Sequence, residues 1–369
     1  MKIVVSGGGT GGHIFPALAI AERVLREDPE TEVLYIGSDR GMETTIVPVR
    51  HIRFEPIRIS GFRRSLSLDN IRTVWRFVRG VSRCKRLLKR FAPDVVIGTG
   101  GYVCGPVLYA AARLGIPTLI HEQNVVPGLT NVFLSRFASS VAVSFRASMD
   151  RFPHASRVIY TGNPRASEVA KANPAKGREL LGIPDGRPIV VIVGGSGGAR
   201  AINEALVELA AFIDRMPEVH FVFITGRPYY ERTRDRITSQ RSLPDNLKVL
   251  PFADHMPEVL AASSLVVTRS GASIIAELTA LGLPSIQIPS PNVTNNHQEA
   301  NARWLCDEGA ADMLLEHELT GERLFESIRR IMSDPIRRES MAVSSRKLGK
   351  PEASDLIFEE IRRLAEPGH

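Results

Sequence analysis

Short apolar runs alternate with helical stretches along the first half of the chain. Six runs that are bounded by Gly or Pro predict strands at residues 2–6, 32–37, 94–98, 117–121, 140–144 and 157–162. This alternation predicts a parallel sheet with helices on both faces. Ligands of such sheets gather at the carboxyl ends of the strands, so the residues that follow each strand are the first candidates for a functional site.

The same order of elements begins again in the second half. An apolar run at residues 189–193 precedes a second glycine-rich turn and a helix from Ala201 onward. Further strands of this half are predicted at residues 219–225, 247–250, 265–268 and 284–288. Because each half opens with a strand, a glycine-rich turn and a helix, we predict an α/β fold of two tandem Rossmann-like domains, whose parallel sheets face a cleft.

Length and turn composition indicate where the domains meet. A chain of 369 residues exceeds what one hydrophobic core usually supports. Residues 163–188 carry four prolines and three glycines, a composition typical of a connection between domains. We therefore place the domains at residues 1–163 and 164–350, and we expect a helix within residues 351–369 to return to the first domain.

Composition narrows the class of protein. Apolar residues make up 43% of the chain and charged residues 24%, near the averages of globular proteins. The three cysteines, Cys84, Cys104 and Cys306, are widely spaced, which favours a reducing compartment such as the cytoplasm. The apolar run at the amino terminus is too short for a signal peptide, and no run of ~18 apolar residues is present in the sequence. Any membrane contact is therefore expected to be peripheral.

Positive charge is concentrated in one segment. Residues 50–90 hold 13 Lys or Arg against two acids, a local net charge of +11, so the rest of a chain with net charge +7 carries −4. In the stretch that begins at Ile71 and ends at Arg90, arginines spaced three or four apart form one stripe of a helix: Arg72, Arg76, Arg79, Arg83, Arg86 and Arg90.

This arginine stripe has three possible roles. Arginines beside an apolar face that carries Trp75 suit anionic lipid headgroups. A solvated face over an ordinary packed helix would show the same periodicity. Nucleic acid is disfavoured, because no binding module is recognisable in the sequence.

The first glycine-rich turn predicts an anion site. Five glycines lie within residues 7–12, between the first strand and a helix predicted from Phe15. Backbone N–H groups and the helix dipole favour negative charge there, and the spacing that starts at Gly7 matches the weak dinucleotide fingerprint. His13 ends the turn, where a neutral imidazole can take a proton from a sugar hydroxyl. The alternative role of His13 is a helix cap or a donor to the ligand.

Polar residues after later strands suggest further ligand contacts. Glu277 follows a small-residue turn, where a carboxylate can bind a ribose diol or merely complement the helix dipole. Asn296 and Gln298 lie in a polar loop and can bind phosphate or sugar, or cap the next helix. Arg165 lies at the domain junction, where it can meet a diphosphate or form a structural corner. Four polar residues at positions 121–124 end a buried strand, which favours a ligand site.

Two missing motifs limit the chemistry. The sequence has no P-loop, and no cluster of Asp, His or Cys suggests a catalytic metal. We therefore expect neither a metal nor a cofactor, and a leaving phosphate stabilised by backbone amides, a helix N-terminus and Arg165.

Six motifs together resemble one known family. They are S-G-G-G-T-G-G-H-I-F-P-A-L-A, G-T-G-G-Y-V-C-G-P, H-E-Q-N-V-V-P-G-L-T-N, T-G-N-P-R, G-G-S-G-G-A-R-A-I-N and R-S-G-A-S-I-I-A-E, in this order. Each glycine motif alone is weak, but the combination is highly specific and spans about residues 2–305. The chain resembles the MurG family of peptidoglycan N-acetylglucosaminyltransferases.

The resemblance implies a GT-B glycosyltransferase that works without metal and inverts the anomeric carbon. The donor would be UDP-N-acetylglucosamine, held mostly by the second domain. The acceptor would be lipid I, undecaprenyl-diphospho-N-acetylmuramoyl-pentapeptide, whose C4 hydroxyl attacks to give lipid II. Such an enzyme works at the cytoplasmic face of the cell membrane, which favours the lipid role of the arginine stripe.

The resemblance also implies site residues. The positions that match cleft residues of the first domain are Thr10, Gly11, Gly12 and Asn124. Arg165 and Ser196 match residues near the donor sugar and diphosphate. Glu277 matches the acid that binds the ribose, and Gln298 matches an amide that contacts the donor.

Two positions depart from the family pattern. Arg165 follows Pro164 directly, whereas relatives often carry the arginine one residue later. Ala253 stands where relatives commonly have an isoleucine against the uracil. Two other functions remain open: a dinucleotide oxidoreductase with Asp39 as the ribose acid, and a non-catalytic nucleotide sensor at a lipid surface.

Overall fold

The structure is a computed structural model that describes residues 1–60, 69–183, 186–195, 197–240 and 242–366. It divides the chain into two compact units. The first unit consists of Met1–Arg165 and Glu352–His369, and the second unit of Ala166–Pro351.

Strands and helices alternate through the first half of the chain. In order they are β1 (Lys2–Ser6), α1 (Gly11–Glu27), β2 (Glu32–Ser38), α2 (Glu43–Val49), β3 (Arg53–Ile57), α3 (Asp69–Phe91), β4 (Val95–Gly98), α4 (Cys104–Ala112), β5 (Thr118–Glu122), α5 (Leu129–Leu134), β6 (Ser140–Val143) and β7 (Val158–Tyr160).

The second half repeats the alternation and ends in helices. Its elements are α6 (Arg165–Val169), α7 (Pro174–Leu181), β8 (Ile189–Val193), α8 (Arg200–Leu209), β9 (His220–Ile224), α9 (Tyr230–Thr238), β10 (Leu247–Leu250), α10 (Met256–Ala261), β11 (Leu265–Thr268), α11 (Ala272–Leu281), β12 (Ser285–Gln287), α12 (His297–Asp307), β13 (Ala311–Met313), α13 (Gly321–Met332), α14 (Pro335–Leu348) and α15 (Ala353–Ala365).

The sheet of the first unit is parallel, with its strands in the order β3-β2-β1-β4-β5-β6-β7. Val4, Val96 and Ile120 of its central strands are fully buried, as expected for strands covered on both faces. On one face, Ile357 and Ile361 of α15 lie in the same apolar cluster as Ile3. The C-terminal helix is thus part of the first unit's core.

The sheet of the second unit is also parallel, in the order β10-β9-β8-β11-β12-β13. Both sheets have the Rossmann arrangement, in which the strand order reverses beside the first strand of the unit. That reversal opens a crevice at the carboxyl ends of β1 and β4 in the first unit, and of β8 and β11 in the second.

The first helix begins earlier than its sequence pattern indicated. It starts at Gly11 rather than at Phe15, after Thr10 in extended conformation. Glycine has a low helix propensity because it loses much backbone entropy on folding, so a propensity argument misses a helix start that consists of Gly11 and Gly12.

Candidate active site

In the first unit, three turns meet at the carboxyl edge of the sheet, because β1, β4 and β5 are parallel neighbours. The turn after β1 packs on the turn after β4 backbone to backbone: the Gly8 N–H donates to the Gly100 carbonyl at 3.3 Å. Gly101 has φ +82°, and a Cβ there would overlap the Gly8 carbonyl oxygen. Only glycine satisfies both conditions, and the site floor is therefore made of main chain.

The start of α1 is open at this edge. Thr10 is its N-cap, but the Thr10 side chain makes no capping hydrogen bond, and the first turn contains no acid. Thr10 and Gly12 are exposed, and Gly11 is half-buried. Since the first N–H groups of a helix lack intrahelical partners, residues 10–12 can bind an anion.

His13 is fixed on one side of its ring. Its Nδ1 lies 3.1 Å from the Thr99 carbonyl oxygen and 3.0 Å from Gln123 Oε1. The Thr99 hydroxyl in turn donates to the His13 carbonyl at 2.7 Å. His13 is the third residue of α1, whereas Thr99 and Gln123 directly follow β4 and β5. His13 is half-buried.

Behind Gln123 lies a second histidine. Gln123 Nε2 contacts His121 Nδ1 at 3.0 Å, and His121 Nε2 lies 3.0 Å from the Gly162 carbonyl oxygen. His121 is fully buried. Burial lowers its pKa to about 4, against the opposing effect of the hydrogen bond to Gly162, so the ring is neutral at physiological pH.

The remaining polar residues of the run 121–124 organise the following loop. The buried Glu122 carboxylate accepts hydrogen bonds from the Asn124 N–H at 2.9 Å, the Gly128 N–H at 3.0 Å and Asn131 Nδ2 at 2.8 Å. Asn124 is thereby held at the rim of the same edge as His13. The sequence indicates all four residues 121–124 as a candidate ligand site but assigns a role to Asn124 alone, and it does not identify Thr99 or Asn131.

In the second unit, the glycine-rich turn after β8 has the same close packing. Gly198 has φ +75°, and a Cβ there would overlap the Thr225 carbonyl oxygen. Helix α8 begins after Ala199 with no side-chain cap and no acid in its first turn. Ser196 lies outside the described residues, so its predicted contact with the donor stays a prediction.

Glu277 follows β11, which pairs with β8, and Gln298 follows β12, the next strand of the same parallel sheet. Glu277 is the sixth residue of α11 and is only 7% exposed. Gln298 Oε1 accepts a hydrogen bond from the Ser290 N–H at 2.9 Å, which ties the polar loop to α12. Asn296 is the N-cap of α12, but its side chain donates to Glu299 at 2.6 Å and makes no capping bond.

Two further predicted positions are Arg165, at the end of the first unit, and Ala253, in the second unit. Arg165 is the first residue of α6 and the last of the first unit, and its N–H donates to Asn163 Oδ1 at 3.1 Å. Ala253, after β10, is half-buried against an apolar cluster that contains Val259 and Leu260.

Matches to known proteins cover nearly the whole chain. The glycosyltransferase family 28 N-terminal domain matches residues 3–143, and its C-terminal domain matches residues 189–357. A protein of Bacillus cytotoxicus is 52% identical over 99% of both chains, and one of Halalkalibacterium halodurans is 52% identical over 99% of this chain and 100% of its own. Both are named UDP-N-acetylglucosamine–N-acetylmuramyl-(pentapeptide) pyrophosphoryl-undecaprenol N-acetylglucosamine transferase.

A solved structure agrees with these matches. The crystal structure of Acinetobacter baumannii MurG superimposes with a TM-score of 0.78 at 30% identity, and covers 98% of this chain and 99% of its own. The predicted resemblance and the GT-B fold are thereby confirmed, and the oxidoreductase and sensor alternatives find no support. With both family domains matched and full-length relatives at 52% identity, the chain belongs to glycosyltransferase family 28.

Proposed function

We propose that this chain transfers N-acetylglucosamine from UDP-N-acetylglucosamine to the C4 hydroxyl of lipid I, giving lipid II and UDP for peptidoglycan synthesis. The observation that carries this proposal is the 52% identity, over 99% of both chains, to a relative named for that transfer. The open α1 terminus beside His13 supports it, because it joins an anion site to a base.

The reaction needs one proton transfer and one displacement. His13 Nε2 takes the proton of the acceptor C4 hydroxyl while the hydroxyl oxygen attacks C1 of the donor sugar. The bond between C1 and the diphosphate oxygen breaks, and its electron pair leaves with UDP. Attack opposite the leaving group inverts C1. General-base catalysis of this kind contributes typically 10²–10⁴-fold in rate.

The two units supply different substrate contacts in this proposal. In the first unit, Thr10, Gly11 and Gly12 hold the lipid diphosphate through the α1 terminus, and Asn124 contacts the acceptor sugar. The second unit holds the donor. Glu277 binds the ribose, and Gln298 donates through Nε2, since its Oε1 is engaged by Ser290. Arg165 and Ser196 contact the donor sugar and diphosphate.

We also propose that α3 docks on anionic lipid at the cytoplasmic face of the membrane. Trp75 and Val78 of α3 are 56% and 57% exposed, and the Arg79 guanidinium lies 3.7 Å from the centre of the Trp75 ring. Arg76 and Arg83 are exposed on the same helix. Exposed apolar residues among arginines suit a lipid surface better than a merely solvated face. The side chains of Ile71, Arg72 and Val74 lie outside the described residues.

Aromatic contacts connect α3 with α4 and with the end of α5. Phe77 of α3 lies 6.2 Å from Tyr109 of α4, and Tyr109 lies 5.4 Å from Phe137, between ring centres. Phe133 and Phe137 are 45% and 41% exposed. In this proposal, Trp75, Val78, Phe133 and Phe137 are the exposed apolar residues of the docking surface. Among the described residues, no helix combines the length and the apolar character needed to cross a bilayer.

The transfer is tested by measuring UDP release with a soluble lipid I analogue. We expect His13→Ala to lower kcat by 10²–10⁴-fold, because the hydroxyl loses its base. His154→Ala, at an exposed histidine, is the matched control and should retain full activity. A loss of only a few-fold in His13→Ala would remove His13 as the base, and no UDP release by the wild type would remove the proposed transfer.

Lipid docking is tested by sedimentation with vesicles that contain anionic phospholipid. Each arginine near such a surface contributes about 1 kcal/mol, so we expect Arg76→Glu with Arg79→Glu to weaken binding at least about 30-fold. The variant Phe133→Ser with Phe137→Ser should weaken binding at high salt as well, where charge is screened. Arg234→Glu, on α9, is the control and should leave vesicle binding unchanged. Unchanged vesicle binding in both double variants would refute docking through this surface.

A further inference from the structure

The contacts of His13 select one form of its imidazole. A neutral imidazole carries its proton on one of two nitrogens, and the atoms around that nitrogen must be hydrogen-bond acceptors. Both neighbours of Nδ1 are oxygens: the Thr99 carbonyl at 3.1 Å and Gln123 Oε1 at 3.0 Å. A carbonyl oxygen has no hydrogen to donate. Nδ1 therefore carries the proton, and Nε2 keeps its lone pair.

The orientation of the Gln123 amide is fixed independently of His13. Gln123 Nε2 lies 2.8 Å from the Thr99 carbonyl oxygen and 2.8 Å from the His121 carbonyl oxygen. If the amide were turned over, its oxygen would face these two oxygens with no hydrogen between them. The amide nitrogen must therefore face the two carbonyls, which directs Oε1 at His13.

The buried His121 completes the chain of hydrogen bonds. Its Nε2 faces the Gly162 carbonyl oxygen at 3.0 Å and so carries the proton, which leaves Nδ1 as an acceptor. Nδ1 lies 3.0 Å from Gln123 Nε2 and shares the two hydrogens of that nitrogen with the Thr99 and His121 carbonyls. Because burial keeps His121 neutral, its Nδ1 carries no proton that would point at Gln123 Nε2. Glu122, the adjacent acid, is engaged by Asn124, Gly128 and Asn131 instead.

We propose that Gln123 is a positioning residue that holds the His13 imidazole as its Nδ1–H tautomer and thereby directs the Nε2 lone pair to the acceptor hydroxyl. This rests on the proposed role of His13 as the base. In the part of the chain that the structure describes, His13 Nε2 has no hydrogen-bond partner. When Nε2 takes the proton, the bond from Nδ1–H to Gln123 Oε1 persists, so the ring need not turn during transfer.

Replacement of Gln123 separates this role from a packing role. Gln123→Leu keeps side-chain bulk but removes one of the two acceptors at Nδ1 and leaves only the Thr99 carbonyl. One hydrogen bond contributes about 1 kcal/mol, so the Nε2–H tautomer should gain population and kcat should fall up to about tenfold, with the KM for donor unchanged. Gln123→Glu keeps an acceptor at Nδ1, so the Nδ1–H tautomer of His13 should be retained. Its second carboxylate oxygen faces the Thr99 and His121 carbonyl oxygens in place of Gln123 Nε2, so the free energy of unfolding should fall.

The tautomer is read directly by long-range ¹H–¹⁵N correlation spectra of the full chain with labelled histidine. His13 is assigned by the signals missing in His13→Gln. We expect the Nδ1–H pattern in the wild type and Nε2–H intensity in Gln123→Leu. Gln287→Leu, at a buried glutamine of β12, is the matched control and should leave the His13 signals unchanged.

The outcomes distinguish the two proposals. A wild-type Nε2–H pattern, or an unchanged His13 tautomer together with kcat within twofold in Gln123→Leu, would overturn the role of Gln123. Full activity of His13→Ala would instead overturn the base, whereas the spectra would still report whether Gln123 holds the tautomer.

Discussion

The buried histidine behind the site makes the stability of the first unit depend on pH. In the folded chain the pKa of His121 is lowered by burial from 6.5 to about 4. The unfolded chain therefore binds a proton below about pH 6.5, and the folded chain only below about pH 4. Since the unfolded state binds more protons in this window, stability is complete above pH 6.5 and is lost as the pH falls towards 4.

The size of the effect follows from the same pKa shift. One pKa unit corresponds to about 1.4 kcal/mol, and pH 5 lies about 1.5 units below the ordinary pKa of histidine. His121 should therefore remove about 2 kcal/mol from the free energy of unfolding between pH 7 and pH 5. Protonation would also place a hydrogen on Nδ1, against Gln123 Nε2, so the hydrogen bond between them would break.

Urea unfolding of the wild type and of His121→Asn at pH 7 and pH 5 measures this contribution. Carboxylates contribute to the pH dependence of both proteins. The loss of unfolding free energy from pH 7 to pH 5 in the wild type, minus the same loss in His121→Asn, therefore isolates the contribution of His121. We expect His121→Asn to be less stable at pH 7 but to lose about 2 kcal/mol less on acidification. His154→Asn, at an exposed histidine, is the control. Equal losses in the wild type and His121→Asn would refute the assignment of a buried neutral ring.

Three further substitutions test the main-chain turns and the donor site. Gly101→Ala should lower the free energy of unfolding by at least about 3 kcal/mol in urea, whereas Gly115→Ala, also at positive φ but with open space around it, should cost only about 1–2 kcal/mol. Gly198→Ala should weaken UDP binding in calorimetry far more than Gly195→Ala, whose Cβ meets nothing within 4 Å. Glu277→Gln should weaken UDP binding by about 1.5–3 kcal/mol, and unchanged affinity would exclude a ribose contact.

The central strands could be predicted from the sequence, and so could the edge strands β7 and β10, but the edge strands β3 and β13 could not. Strands such as β1 and β8 are buried on both faces and appear as continuous apolar runs. At the edges, β3 mixes Arg53, Glu55 and Pro56 into its run, and β13 has only three residues. Neither gives an apolar signal above that of a loop.

In the site, a local motif could be predicted from the sequence, but contacts between distant residues could not. The glycine turn before His13 could be recognised because its signal is local. The hydrogen bonds of His13 could not, since Thr99 and Gln123 lie 86 and 110 residues away and depend on the order of β1, β4 and β5 in the sheet. Sequence spacing carries no information on that order, which explains why Gln123 was only one of four polar residues in a run.

The glycine turns also bear on how resistance to an inhibitor could arise. At Gly8 with Gly101, and at Gly198 with Gly226, two stretches of main chain are in contact with no room for a side chain. A compound that bound the N–H groups of these turns would contact atoms that every amino acid has. A point mutation could then escape the compound only by displacing the backbone, which, in the proposed function, would also displace the substrate phosphates.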